Sequence, residues 1–155
     1  MLLLTNGLLI LAIASVGVVY GVDVFFAVIG RRALAHSSDA AIAEVMGRFH
    51  EVADARMPVF GVSGVLATIA FAILVGWGTV PSWLSLVALA GLLIQLGLYL
   101  VIAKPINTKM TEAIQKGQIL AEIRDLQNRW DSVIIARALV MTLAIGCLTT
   151  AGLLK

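Results

Sequence analysis

The chain has 155 residues, of which 61% are hydrophobic and 13% are charged, and its formal net charge is +2 at pH 7. A soluble domain is about half apolar and about a quarter charged, so this composition excludes a soluble globular protein and indicates an integral membrane protein. The small net charge gives no indication of nucleic-acid binding. The length fits one transmembrane domain, residues 1–155.

Four apolar segments follow one another along the chain, each having the roughly 20 residues that are needed to cross the hydrocarbon core of a bilayer. They cover residues 2–29, 58–77, 83–103 and 132–154. Each is expected to be a helix, because an open strand edge leaves backbone groups without partners in lipid. The sequence therefore predicts an all-α fold, an integral membrane four-helix bundle with two helical cytoplasmic connections.

The connections between these segments differ in length and charge. Residues 78–82 are uncharged and predict a tight hairpin, flanked by Trp77 and Trp83 at the level of an aromatic belt. The other two connections are long and hold nine of the eleven basic side chains. Because basic residues concentrate on the cytoplasmic side, the long connections are expected in the cytoplasm and both termini outside a bacterial-type plasma (inner) membrane.

Both long connections are predicted to be helical, since apolar residues recur in them at three- and four-residue spacing. In the first connection, Ser38 or Ser37 could cap a helix, and Pro58 suits the first turn of the transmembrane helix that follows. In the second connection, Gly117 is an expected weak point. The sequence leaves open whether these helices extend the transmembrane helices or lie on the membrane surface.

Two opposite charges fall at similar depth within the apolar segments. Asp23 lies seven residues before Gly30, and Arg137 lies six residues after Asp131, so both are on the order of 10 Å inside the same membrane boundary. Pairing would remove two costly unpaired charges, so they are expected to be partners. The pair could be purely structural, or it could form the polar floor of a pocket, in which Asp23 orients a base or takes a proton and Arg137 holds an anionic oxygen. Alternatively, Arg137 only reaches the headgroups.

His50 and Asp54 are four residues apart and could form a hydrogen bond on a helix, which would tune the imidazole near neutral pH. The alternative is a solvated or capping histidine. No histidine cluster at ligand spacing and no paired cysteines occur, so no metal site is predicted. No phosphate loop or dinucleotide fingerprint indicates a bound cofactor.

Two further spacings concern contacts between helices. Gly17 and Gly21 form a G-x-x-x-G pattern in the first segment, which predicts close packing either within the bundle or across a dimer. Gln95 and Tyr99 are four residues apart in the third segment and are expected to form an interhelical hydrogen bond or to contact a ligand.

Several short stretches together resemble the anthrone-oxygenase-like family of small four-helix membrane proteins. These are Pro105-Ile106-Asn107, a polar stretch of about twenty residues ending in Arg129-Trp130, then Arg137 near the start of the last helix, and also Phe49-His50 and Met57-Pro58. Members tied to polyketide pathways oxidise anthrones to anthraquinones with O₂ and without a metal or flavin. The resemblance implies that His50 is the base, that Asn107 and Trp130 line the site, and that Arg137 stabilises an oxyanion.

Two functional hypotheses follow. In the first, a site near the cytoplasmic face binds an aromatic or quinone-like small molecule and oxidises it as a cofactor-independent oxygenase. Its boundary residues are Asp23, His50, Asn107, Trp130 and Arg137. In the second, the chain is a non-catalytic accessory or assembly subunit of a larger membrane complex, with a homo-oligomer or a partner subunit held by its helix surfaces. Both hypotheses place the chain in a lipid bilayer.

Overall fold

The computed structural model describes residues 1–155 and consists of four long helices without strands. We name them α1 (Leu2–Ala35), α2 (Asp39–Leu74), α3 (Val80–Gln115) and α4 (Ile123–Leu153), and each is long and apolar enough to cross a membrane. Only 28% of the most apolar stretch of α1, α2 and α3, and 44% of that of α4, is buried inside the protein. Apolar surface on this scale is suited to lipid. The chain is therefore a multi-pass membrane protein and an all-α four-helix bundle, as the sequence predicts.

The helices run well beyond the predicted transmembrane segments at one end of the bundle. There the long connections continue the transmembrane helices, and only residues 36–38 and 116–122 separate one helix from the next. The structure thus selects the first of the two alternatives left open by the sequence. We call this end the basic end, because nine of the eleven basic residues lie toward it. The opposite hairpin end holds residues 75–79 and both termini.

The helix boundaries have local causes. Ser38 caps α2, since its hydroxyl accepts a hydrogen bond of 3.2 Å from the backbone N–H of Ala41. Thr79 caps α3 in the same way. The expected weak point at Gly117 marks the end of α3: its φ is +66°, a left-handed conformation that glycine adopts readily after a helix. The chain then turns back into α4.

The expectation that Pro58 opens a new helix is wrong, because Pro58 lies in the interior of α2. Proline removes one helical hydrogen bond, the one its missing N–H would donate. A complete break at this depth would leave several backbone groups without partners in an apolar environment. Continuing the helix through Pro58 is therefore the less costly arrangement.

Two of the helices contain a turn of π-helix, at Phe26–Gly30 in α1 and at Tyr99–Ala103 in α3. Such turns are rare in proteins, and those that occur are often found at functional sites. They change which residues share a face, because residues five apart lie above one another in a π turn. Both turns occur at the level where the polar residues of the bundle interior are found.

Helix contacts are close where glycines meet a neighbouring helix. A Cβ atom at Gly64 would lie 2.9 Å from Val16 Cγ2 of α1, and one at Gly91 would lie 3.0 Å from a backbone oxygen of α4. By contrast, a Cβ at Gly17 or Gly21 would meet nothing within 4 Å. The G-x-x-x-G pattern is therefore not a contact within the bundle, and its use across a dimer stays a prediction.

Candidate functional site

A cavity of about 480 Å³ lies between the helices and is lined by residues of all four. The part toward the hairpin end is apolar and includes Val16, Val65, Leu92 and Met141. The part toward the basic end, which we call the polar floor, is formed by Asp23, His50, Asp54, Gln95, Tyr99, Lys104, Asn107, Trp130 and Arg137. Ligand pockets typically have volumes of about 300–1,000 Å³ and combine apolar walls with a few convergent polar groups.

The polar floor contains every residue that the sequence analysis proposed for a site. These are Asp23 of α1, His50 of α2, Asn107 of α3, and Trp130 and Arg137 of α4. All five are buried. The structure therefore brings together residues that are up to 114 positions apart in the sequence.

The predicted ion pair between Asp23 and Arg137 is confirmed. Arg137 Nη2 donates to Asp23 Oδ1 at 2.6 Å, and the two side chains are 8% and 1% exposed, respectively. The alternative in which Arg137 reaches the headgroups is wrong, because its guanidinium stays inside the bundle. Its carbon Cζ lies 5.8 Å from the ring centroid of Trp130 and 6.0 Å from that of Tyr99, within reach of cation–π attraction.

Asp54 is the centre of a second polar group that the sequence analysis missed. Its carboxylate accepts hydrogen bonds from Tyr99 Oη at 2.8 Å, Lys104 Nζ at 3.1 Å and Asn107 Nδ2 at 2.9 Å. These three donors all lie on α3. The hydrogen bond that the sequence allowed between His50 and Asp54 is not formed. We call these four residues the Asp54 network, and they join α2 to α3.

His50 is buried beside aromatic side chains. Its ring centroid lies 5.6 Å from that of Trp130, which in turn packs edge-on against Phe26 at 5.1 Å. Phe49 adds a further edge-on contact to Phe26 at 5.1 Å. The solvated or capping alternative for His50 is therefore wrong: the imidazole is part of an aromatic wall at the polar floor.

The polar floor is only partly satisfied by the protein itself. Among the buried side-chain polar atoms that have no hydrogen-bond partner, five belong to the floor: Asp23 Oδ2, His50 Nε2, Asn107 Oδ1, Trp130 Nε1 and Arg137 Nε. Most buried polar atoms in proteins have a partner, so such a concentration calls for an explanation. The indole and guanidinium N–H groups donate, the carboxylate and amide oxygens accept, and the imidazole nitrogen could do either.

Together, these donors and acceptors could hold a small polar group that both accepts and donates hydrogen bonds, such as a carbonyl next to a hydroxyl. The fold and site define a small four-helix membrane protein with a cavity between its helices and a polar, aromatic-walled floor. No family model matches the chain, and no curated protein and no solved structure matches it.

Proposed function

We propose that the cavity binds an aromatic or quinone-like small molecule, with its carbonyl or hydroxyl groups on the polar floor. The observation that carries this proposal is the set of five unpartnered polar atoms at one end of an otherwise apolar cavity. A flat ring fits against Phe49, His50 and Trp130, which line the cavity, since aromatic rings favour edge-on and offset contacts. The apolar part of the cavity would receive the remainder of the molecule.

We propose further that the site oxidises its ligand with O₂, as in the anthrone-oxygenase-like family. His50 Nε2 would accept a proton from the acidic CH₂ that lies across the central ring from the carbonyl, which leaves a carbanion whose charge is shared with the carbonyl oxygen. The N–H groups of Arg137 and Trp130 would hold that oxyanion. The carbanion would react with O₂, and the hydroperoxide formed would lose water, so that anthrone and O₂ give anthraquinone and water.

The remaining floor residues would have supporting roles. Asp23 would hold the guanidinium of Arg137 in place through their 2.6 Å contact. Asn107 would offer its unpartnered Oδ1 to a hydroxyl of the ligand while Asp54 fixes its amide nitrogen. This scheme needs only residues of the chain, the substrate and O₂.

We also propose the orientation and the membrane. The basic end would face the cytoplasm of a bacterial-type plasma membrane, because nine of the eleven basic residues lie toward it. Both termini and the hairpin with Trp77 and Trp83 would then lie outside. The polar floor would consequently sit in the cytoplasmic half of the bilayer.

The oxidation is tested by the conversion of anthrone to anthraquinone in liposomes that contain the purified protein. We expect His50→Gln to lower the rate by roughly 10²- to 10⁴-fold, the usual contribution of a general base. His36→Gln is the matched control, because His36 is exposed in the connection between α1 and α2 and does not line the cavity. Equal rates for the two variants, or no conversion by the unaltered protein, would show that the oxygenase proposal is wrong.

The binding proposal has its own test, which does not depend on turnover. Arg137→Lys keeps a cation beside Asp23 but lacks the planar fork of N–H donors. We expect it to weaken quinone binding by about tenfold, the loss of one hydrogen bond to a charged group. Unchanged binding would contradict the assignment of Arg137 to the ligand.

One observation favours the second function, an accessory or assembly subunit. Gly17 and Gly21 leave open space on the outer side of α1, where another transmembrane helix could approach closely. In that case Gly21→Leu would remove a partner chain, or a second copy, from the gently purified complex. Mass spectrometry of the intact complex distinguishes a lost partner from an unchanged composition, and the unchanged composition would contradict this alternative.

A further inference from the structure

The cavity opens sideways, between the middle portions of α2 and α3. Several large apolar residues line the cavity and are at the same time exposed on the outer surface, among them Phe60 (37%), Leu66 (60%), Leu96 (41%) and Leu100 (54%). Gly61 lies among them, and a Cβ atom there would meet nothing within 4 Å. We call this opening, bounded by Phe60, Gly61, Leu96 and Leu100, the lateral gap.

On its basic side, the lateral gap is closed by polar contacts. There the Asp54 network joins α2 to α3, and its outermost member, Lys104, bonds Asp54 at 3.1 Å. Nearer the basic end the two helices touch, since a Cβ atom at Gly47 would lie 2.8 Å from Ile114 Cγ2. The cavity is therefore separated from the basic end by a hydrogen-bonded barrier and is open where the surface is apolar.

From this geometry we infer that the ligand reaches the cavity from the lipid through the lateral gap, and that it carries a long alkyl or prenyl chain. The inference rests on the proposed function and names its substrate class: a lipid-soluble aromatic or quinone. The head lies on the polar floor, and the chain passes between Gly61 and Leu96 into the bilayer.

The lateral gap faces lipid, whereas the basic end faces water, and this difference explains why the ligand enters through the gap. A chain that stays in lipid keeps an apolar environment throughout binding. A chain drawn out into water at the basic end would weaken binding by about fourfold for every CH₂ exposed. Only the lateral gap allows the head to meet the polar floor while the chain remains in hydrocarbon.

The protein offers an internal reporter for this inference. The chain contains three tryptophans, and Trp130 is the one that lies in the polar floor. Trp77 and Trp83 are exposed near the hairpin, so replacing both with phenylalanine leaves Trp130 as the sole tryptophan, which is excited selectively above the absorption of tyrosine. Quinones quench indole fluorescence at short range, so saturable quenching in phosphatidylcholine liposomes measures binding at the floor.

Two probes are compared: a dimethoxy-methyl-benzoquinone that carries a decyl chain and the same ring without the chain. Gly61→Leu places a side chain in the lateral gap, and Gly97→Leu adds the same side chain to the exposed surface of α3, outside the cavity lining. We expect Gly61→Leu to weaken binding of the decyl quinone by about tenfold or more, and binding of the chainless ring by less than about twofold. Gly97→Leu should leave both affinities unchanged.

Each other outcome has a defined meaning. If Gly61→Leu matches the control while Arg137→Lys weakens both probes, the lateral gap is not used and the binding site stands. If Gly61→Leu weakens both probes equally, the chain does not occupy the gap and the inference is overturned. If no saturable quenching occurs, the proposed function fails and the inference fails with it. Should Gly61→Leu not insert, Gly61→Val carries the same comparison.

Discussion

Substitutions at the buried ion pair of Asp23 and Arg137 should separate its contribution to stability from its contribution to ligand binding. Asp23→Leu removes the carboxylate and leaves the guanidinium of Arg137 buried without its counter-ion. Arg137→Met does the reverse. The double variant replaces both ions with apolar side chains of comparable length, which a bundle interior in lipid accommodates well.

The size of the effect follows from the geometry of the pair. The two charges are in direct contact at 2.6 Å between nitrogen and oxygen, and both side chains are more than nine-tenths buried. For charges about 4 Å apart at an effective dielectric constant of about 20, the attraction is roughly 4 kcal/mol. Removing either partner alone should therefore cost about 3–5 kcal/mol, whereas replacing both should be close to neutral.

A double-mutant cycle in mixed micelles, with unfolding followed as sodium dodecyl sulfate is added, measures these free energies. We expect the double variant to be more stable than Asp23→Leu by about 3 kcal/mol. It should nevertheless have lost quinone binding, because Arg137 is absent. The reasoning would be refuted if each single change cost less than about 1 kcal/mol, or if the two costs simply added in the double variant.

Three smaller predictions concern the basic end. Gly47→Leu should destabilise the bundle by about 1–3 kcal/mol, since its Cβ would lie 2.8 Å from a carbon of α3, whereas Gly97→Leu should not; the same denaturant titration tests both. Ser38→Ala should cost about 1 kcal/mol of helix stability through the lost cap, and hydrogen exchange at the start of α2 should rise. The hydrogen bond from Lys109 lowers the pKa of Glu122, so Lys109→Met should raise that pKa, as carboxyl NMR titration would detect; an unchanged pKa would contradict the contact.

The sequence predicted the fold and the ion pair because both depend on simple counting. About 20 apolar residues span the hydrocarbon, and a rise of about 1.5 Å per residue places Asp23 and Arg137 at one depth. Neither argument requires knowledge of how the helices rotate. Counting did not place His50, Asn107 and Trp130 at the floor. His50 was singled out by its spacing to Asp54, and the resemblance added Asn107 and Trp130, because the helix faces of these residues could not be assigned from spacing.

The Asp54 network escaped the sequence analysis because it depends on the π turn of α3. Tyr99 and Lys104 are five residues apart, and in a regular α-helix side chains at that spacing point in different directions. The π turn at Tyr99–Ala103 brings them one above the other, toward Asp54. Nothing in the local sequence marks that turn. From spacing alone, Asp54 offers only a possible hydrogen bond to His50 within its own helix.

The two polar groups of the interior differ in a way that bears on their roles. Both oxygens of Asp54 are bonded by donors of α3, so the carboxylate at the centre of the Asp54 network is satisfied without a ligand, whereas Asn107 Oδ1 of that network has no partner. By contrast, Asp23 Oδ2 has no hydrogen-bond partner. The same is true of His50 Nε2, Trp130 Nε1 and Arg137 Nε. A purely structural network is expected to be fully satisfied, since a half-satisfied one is costlier than an apolar core. We therefore assign the joining of α2 to α3 to the Asp54 carboxylate and its donors, and ligand binding to the residues that surround Arg137 together with the free amide oxygen of Asn107.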